Sequence, residues 1–458
     1  MSTTAGAREQ TRALPRVLGF WDVFFIAVGQ IIGAGVVTLT GIAIGMTGPS
    51  IVLAYLLSAV LVIGATVLII MAGTTLPATG AYYAWTSRLS GGWLGSITLS
   101  LILLAGISLS LFGSSFGQYL HPIFPVLSVN AWGILIISLL CGANLFGLTM
   151  ASKVQMLLVI VLLSALAIYA GFAAPQLDLA LLTPAFPKGA VGFITAVFLL
   201  KFATGGAYLI VGLSGEMRDP KRTIPAVMIG ATLAVAFIYS LVALASVGVI
   251  SWTNMINQPL TVAGKAFLPG WALNYFLIGG AGLAICTTLN SQFIQLPRIF
   301  IVASWDRLIP AWVGELNRFG APWVILLGML LVGVGPLTAG LNIKELASAA
   351  TLSASFPAFI VYWSVVKIPK KYPEEYASST FRLNPAWLRF FFVFSIISTL
   401  IGIVFLAQTL SNSVLILFGL WILTSIAYYP VRRAWLARKG YDLDQLTTDR
   451  AIFRLESS

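Results

Sequence analysis

Val28-Gly-Gln-Ile-Ile-Gly-Ala-Gly-Val-Val37 and Phe202-Ala-Thr-Gly-Gly206 are the two stretches on which the reading of this chain turns. Each lies inside an apolar run long enough to cross a membrane, and each interrupts that run with glycine. Glycine costs about 1 kcal/mol relative to alanine inside a helix, so Gly33 and Gly35, with Gly29 before them, mark a weak point in the first run. Gly205 and Gly206 mark one in the sixth. Small residues also serve plain close packing of helices. Two such clusters at the heads of successive five-run sets fit an inverted repeat, whose discontinuous helices surround a binding site. Unwinding at the first break leaves free amides around Gly33 to Val36 at the N-terminus of a half-helix, suited to a carboxylate. Unwinding at the second leaves the carbonyls of Phe202 to Thr204 at a half-helix C-terminus, suited to an ammonium. Amino and carboxyl groups on one carbon meet both.

Outward from these breaks, apolar runs fall at 17–45, 50–73, 92–118, 131–149, 153–174, 190–214, 225–249, 271–295, 322–341, 346–366, 388–410 and 413–435. The expected fold is an all-α polytopic membrane protein of about 12 transmembrane helices. Residues 17–174 and 190–366 form two five-helix repeats, 388–435 hold helices 11 and 12, and polar tails cover 1–16 and 436–458. Composition agrees: the 458 residues are 59% hydrophobic and 9% charged, far from the roughly 25% charged residues of a soluble domain. The runs do not alternate in polarity, which excludes an outer-membrane barrel. Cys141 and Cys286 both sit in apolar runs, leaving no disulfide framework or cysteine metal site. The first 16 residues carry Arg8, Arg12 and Arg16 without a cleavable apolar stretch, so they read as a tail rather than a signal peptide. With the N-terminus cytoplasmic, three of the 26 basic residues (Lys188, Lys265, Lys344) fall outside, Lys201 falls at membrane depth, and the other 22 lie on the cytoplasmic side. Both termini are then cytoplasmic. The net charge of +12 serves topology and attraction to anionic lipid, not nucleic acid.

The loops carry a resemblance. Leu213-Ser-Gly-Glu-Met-Arg-Asp-Pro-Lys-Arg-Thr-Ile-Pro225 resembles the signature that follows the sixth span in the amino acid–polyamine–organocation (APC) superfamily. Pro77-Ala-Thr-Gly-Ala-Tyr-Tyr83, Asn144-Leu-Phe-Gly147 with Lys153 and Gln155, and Thr287-Thr-Leu-Asn-Ser291 with Arg298, Asp306, Leu308 and Pro310 are similar to further segments of that family. Phe202-Ala-Thr-Gly-Gly206 is most similar to the L-type amino acid transporters. The resemblance covers residues 17 to about 365. It implies a LeuT-type five-plus-five fold with helices 1 and 6 broken, and substrate held between spans 1, 3, 6, 8 and 10. The matched positions are Ile32, Gly33, Ala34, Gly35 and Val36 in the first span and Phe202, Ala203, Thr204 and Gly205 in the sixth, with Phe202 as aromatic gate. Three departures stand out. Ala34 replaces the usual hydroxyl residue, the fifth span has no lysine beyond Lys153, and residues 119 to 130 lack the cysteine that joins animal relatives to a glycoprotein partner. No disulfide-linked heavy chain is implied.

Lys201 lies about 11 residues, or roughly 16 Å, below the start of the sixth span. A charge there is costly and is usually functional. Three roles are open to it: complementing the exposed carbonyls of its own half-helix, contacting substrate or an anion, or coupling to protons. Glu216, Arg218, Asp219, Lys221 and Arg222, with Arg298, Asp306 and Arg307, are candidates for an inner salt-bridge gate or for plain solvated loops. The resemblance favours an inner gate among some of these, and Glu216 and Arg298, with Phe202 and Lys201, are the gate or coupling candidates. Thr287 and Thr288 have the oxygen chemistry for a sodium ion, although such hydroxyls more commonly bond their own helix backbone, and no metal or other cofactor is expected. The single peripheral His121 and the absence of intramembrane acid argue against an enzyme. The expected activity is secondary transport or exchange of small to medium neutral amino acids by alternating access, in a bacterial inner (plasma) membrane. A small organic anion, suggested by Lys201, is the alternative, and cationic amino acids or polyamines rank below for want of an embedded carboxylate.

Overall fold

The computed structural model describes residues 14–339, 353, 356–407, 412–450 and 452–453, and among these every regular element is a helix. In chain order the α-helices are α1 Phe20–Ile31, α2 Ala34–Thr47, α3 Ile51–Thr75, α4 Ala81–Ser90, α5 Gly92–Ala105, α6 Ser108–Leu120, α7 Val129–Asn144, α8 Leu148–Ala173, α9 Gly189–Thr204 and α10 Pro220–Val249. They continue as α11 Leu260–Phe267, α12 Gly270–Tyr275, α13 Leu283–Trp305, α14 Trp323–Thr338, α15 Ile368–Lys371, α16 Pro373–Ser378, α17 Pro385–Ala407, α18 Asn412–Ala437 and α19 Leu443–Thr448. Seven helical stretches among the described residues are long and apolar enough to cross a membrane: Leu39–Thr75, Gly92–Leu120, Leu148–Gln176, Gly189–Gly212, Pro220–Val249, Gly270–Trp305 and Leu415–Ala437. Shorter apolar helices lie at Phe20–Ile31, Val129–Asn144, Trp323–Thr338 and Pro385–Ile401. The chain is an all-helical polytopic membrane protein. Residues 346–352, 354 and 355 of the tenth expected span, 346–366, lie outside the described residues, as do residues 1–13 of the tail, and 356–365 are helical.

Several boundaries differ from the sequence reading, each for a local reason. The third run is two helices: at Gly106 and Ile107 the amides turn back to Leu103 and Leu104, three residues away, which tightens the turn between α5 and α6. The seventh run, α10, starts five residues before Pro225, because the Asp219 side chain accepts from the Arg222 amide and Pro220 occupies the first helical position. The eighth run extends to Trp305 and carries a π-helical turn, Phe276–Gly282. Helix α4 falls where a loop was expected.

Packing is set by the demand that backbone polar groups find partners where water is absent. Helix α10 lies along α3, α9 packs on α2 and α3, and α13 touches α1, α6, α7 and α8. Proline inside a helix frees the carbonyl four residues earlier, and three such carbonyls receive side-chain donors. The Thr380 hydroxyl donates to Lys221 O (3.3 Å) across from Pro225, Ser110 to Val332 O (3.3 Å) below Pro336, and the Trp93 indole to Ile426 O (3.4 Å) below Pro430. Ser110 also donates to Gly333 O at 2.7 Å. Replacing Ser110 with Val is therefore expected to lower the melting temperature in detergent, at a cost of about 1–3 kcal/mol. Ser115→Ala, which removes a hydroxyl bonded only to its own helix at Leu111 O, serves as the control and should melt like the parent. Equal melting of both variants would show that the proline-freed carbonyls need no donor.

Candidate substrate site

Helix α1 ends at Ile31 and α2 begins at Ala34, with Gly33 in extended backbone as the N-cap. Glycine brings no capping side chain, so the amides of Ala34, Gly35 and Val36 have no acceptor within their helix. Gly33 itself differs from expectation: its amide turns back to Ile31 O at 3.0 Å and is not free. The second break follows Thr204, the last residue of α9, and the chain resumes as the tight turns Ala207–Gly212 and Ser214–Glu216. Gly206, at φ +132°, has a conformation that favours glycine, and it lies against the Gln30 carbonyl.

The two breaks meet. A Cβ placed on Gly35 would lie 3.2 Å from Ala203 Cβ and 3.3 Å from its Cα, so glycine allows the N-terminus of α2 to touch the C-terminus of α9. Thr204 is fixed from the other side, donating or accepting with the Ser58 hydroxyl at 3.2 Å while bonding Leu200 O. An amide-rich helix start and a carbonyl-rich helix end thus stand side by side in a buried setting.

Carbonyls at the end of α1, and Ile26 O further up the helix, accept from neighbouring helices. The Thr287 hydroxyl donates to Ile32 O (3.1 Å), Thr288 to Gly29 O (3.1 Å), Ser291 to Ile26 O (3.0 Å), and the Tyr239 phenol to Ile31 O (3.3 Å). Thr287 and Thr288 also bond Ala284 O in their own helix. Behind them runs a buried amide chain: Asn144 donates to Asn290 Oδ1 (2.8 Å), Asn290 to Gln155 Oε1 (2.9 Å), and Gln155 to Ser291 Oγ (3.0 Å). Gln155 lies so close to Gly29 that any Cβ there would overlap its amide. Tyr239, Asn290, Ser291 and Gln155 were not singled out as site residues. Their signal was uncompensated polarity inside apolar runs.

Lys201 does not reach back to the carbonyls of its own half-helix, as one reading expected. Its ammonium bonds the Ser398 carbonyl (3.2 Å) and hydroxyl on α17. Side chains of a helix lean toward its N-terminus, which carries a last-turn lysine away from the C-terminal carbonyls. Phe202 is 63% exposed, on the opposite side of α9 from buried Leu200 and Thr204.

The charged residues converge at the end of the bundle that also holds the C-terminal segment. Arg298, ten residues or about 15 Å along α13 from Thr288, forms a two-point ion pair with Glu216 (2.8 and 3.0 Å), both side chains buried. A second buried pair joins Asp306 to Arg88 of α4 (2.6 and 2.8 Å), and the Tyr83 phenol donates to the same carboxylate at 2.9 Å. Burial opposes the Arg88 charge, but the Asp306 carboxylate more than offsets it and raises the guanidinium pKa. Asp219 and Arg222 remain exposed, a solvated pair at 3.7 Å. Arg88 falls in a short helix, α4, that hydropathy presents as a loop. A cavity of about 480 Å³ lies elsewhere, lined by apolar side chains including Phe116, Trp132 and Cys286, and includes no residue of either break.

A family model described as amino acid permease matches residues 18–428. The chain belongs to the amino acid permease family, within the APC superfamily. Relatives include the serine/threonine exchanger SteT of Bacillus subtilis (strain 168), 24% identical over 69% of this chain and 75% of its own length. The branched-chain amino acid permease BcaP of Lactococcus lactis subsp. cremoris (strain MG1363) is 25% identical over 92% of this chain and 95% of its own. The vacuolar cationic amino acid transporter 8 of Arabidopsis thaliana is 24% identical over 69% and 57% respectively. This permease is accordingly an integral membrane amino acid transporter and not an enzyme.

In the permease, Gly35 holds the two half-helices in contact. Gly35→Ala requires a shift of a few tenths of an ångström and is expected to keep measurable substrate binding, whereas Gly35→Val should abolish it in a protein that still inserts and purifies as a monodisperse species. Parental affinity in Gly35→Val, measured by scintillation proximity or calorimetry, would contradict this. Lys201→Met keeps the stem and removes the Ser398 bonds, so it should lower stability or rate modestly while leaving the ranking of substrates unchanged; a changed ranking would place the ammonium in the site.

Proposed function

We propose that this permease is a secondary transporter or exchanger of small to medium neutral amino acids, working by alternating access in a bacterial inner membrane with both termini cytoplasmic. The observation that carries the reading is the contact of the α2 N-terminus with the α9 C-terminus through Gly35 and Ala203. A zwitterion is the ligand for that juxtaposition: its carboxylate faces the amides of Ala34, Gly35 and Val36, and its ammonium faces the carbonyls of Phe202, Ala203 and Thr204. Ile32, Gly33 and Gly205 shape the backbone around it. On this reading the fold is the LeuT-type arrangement of about 12 spans. The repeats are 17–174 and 190–366, followed by two added helices at 388–435. Tails at 1–16 and 436–458 flank them.

Neutral side chains are favoured because no carboxylate accompanies the described breaks and the Lys201 ammonium is engaged by Ser398. Sodium is not required: the Thr287 and Thr288 hydroxyls act as direct donors to the α1 carbonyls that a cation would otherwise neutralise. Glu216 with Arg298 forms the inner gate, and Phe202 is the uncovered half of an outer lid.

Counterflow in proteoliposomes against a panel of amino acids, polyamines and carboxylates tests the substrate class. Neutral amino acids are expected to exchange, and exclusive response to a dicarboxylate or a polyamine would sink the proposal. In the same assay Phe202→Ala should reduce exchange more than insertion, and Phe202→Trp should be milder. Alanine at the parent rate would reduce Phe202 to packing.

A further inference from the structure

The C-terminal segment is bound to the residues that close one end of the bundle. Residues Asp442 to Thr448 fold onto α4 and α5 as α19, with the Asp442 carboxylate capping the amides of Asp444 and Gln445 and with Leu443 and Thr447 buried. The Asp449 carbonyl accepts from Arg88 Nε at 3.1 Å, on the same guanidinium that pairs with Asp306. Beyond it, Phe453 packs edge-on against Tyr372 at 5.5 Å, and Arg450 lies over that ring.

The other partner of the ion pair is held as well. Asp306 begins the turn after α13, and its neighbour Arg307 has φ +58°, a left-handed conformation uncommon for a residue with a side chain. That turn is pinned at three points. Arg432 donates twice to Arg307 O (3.1 and 3.0 Å), Tyr428 donates to Leu308 O (2.8 Å), and the Arg307 guanidinium stacks over Tyr441 at 4.0 Å. Tail residues therefore grip Arg88 through the Asp449 carbonyl and the Asp306 turn through Tyr441, beside the Tyr428 and Arg432 bonds that the end of α18 makes to the same turn. Helix α13, which ends in this turn, also carries the Thr287, Thr288 and Ser291 hydroxyls that cap α1.

We propose that residues 428–453 are a built-in clamp, which slows opening of the permease on the side where the tail lies by holding Arg88 and the 306–308 turn together. The inference rests on the alternating-access reading above for its effect on transport, but the clamp itself is a statement about local opening. Separation of α4 from the 306–308 turn requires the Arg88–Asp306 pair to part, and the tail bonds must release or stretch with it. Releasing the tail removes that added restraint and leaves the distant breaks untouched.

The test uses the full chain. Tyr441→Ala removes the stack on Arg307, Tyr441→Phe keeps it, and Gly92→Val acts as an independent wedge, because a Cβ at Gly92 would overlap the Thr447 and Tyr429 hydroxyls. Tail release is scored by faster tryptic cleavage after Lys439, opening by hydrogen exchange across residues 81–90 and 303–308, and function by counterflow of neutral amino acids. Tyr441→Ala and Gly92→Val should speed cleavage and exchange of those segments, and raise the counterflow rate about threefold to tenfold with unchanged half-saturation, the upper figure corresponding to about 1.4 kcal/mol. Tyr441→Phe should behave as the parent. Released tails with parental hydrogen exchange at 81–90 and 303–308 would overturn the clamp, as would slower or unchanged counterflow in variants that bind substrate normally. If the parent protein shows no counterflow, the transport reading fails, and hydrogen exchange alone then decides whether the tail restrains opening.

Discussion

A helix broken inside a bilayer exposes carbonyls that no water can satisfy, and the arrangement of this permease follows from how those carbonyls are met. Three donors from two other helices reach the end of α1, Thr287 and Thr288 from α13 and Tyr239 from α10, and Ser291 of α13 adds a bond to Ile26 O further up the helix. Hydroxyls suit the task because each adds one short, neutral donor without bringing a charge into the membrane. The consequence is a division of labour. Helix α1 is tied to α13, whereas α2 is tied through Gly35 to α9 and through Thr40 to Tyr55 of α3. The glycine break separates two mechanically distinct attachments of what is one span in the sequence.

Charge is handled differently. Two buried ion pairs, Glu216 with Arg298 and Arg88 with Asp306, lie at one end of the bundle, where Arg298 also donates to Ile294 O, Arg88 donates to Ser87 Oγ and the Asp449 carbonyl, and Asp306 accepts from Tyr83. Buried pairs contribute little net stability, yet separating one partner is expensive, about 3–5 kcal/mol, unless water enters with it. Such pairs favour all-or-none separation over partial opening.

Much of this is legible in the sequence alone. Glycine clustered in the interior of apolar runs located both breaks, because it weakens a helix by about 1 kcal/mol per residue relative to alanine, and the polar motif after the sixth span supplied Glu216. The misses have physical causes. Arg88 leaves no signal because a ten-residue stretch of mixed polarity next to Pro77 and Gly80 is too short to read as a membrane span. The direction of the Lys201 ammonium depends on which neighbour its helix face meets, and Ser398, nearly 200 positions away, leaves no trace in local periodicity. The free amide expected at Gly33 was lost to a bond with Ile31 O, since a turn between half-helices makes its own short-range bonds. Run lengths located the spans but not the tightening at Gly106 or the π-helical turn at Phe276–Gly282, which depend on backbone bonds rather than hydropathy.

One contact carries an evolutionary corollary. Gly29 has no side chain, and the Gln155 amide occupies the volume that one would fill, linking α8 to α1 and to Ser291 at once. Neither position is free to drift alone: a larger residue at 29 would displace the amide, and a shorter residue at 155 would leave both a void and unbonded groups on Asn290 and Ser291. Across homologous chains, glycine at the first position and a long amide at the second should be inherited as a pair, and exchanged only together.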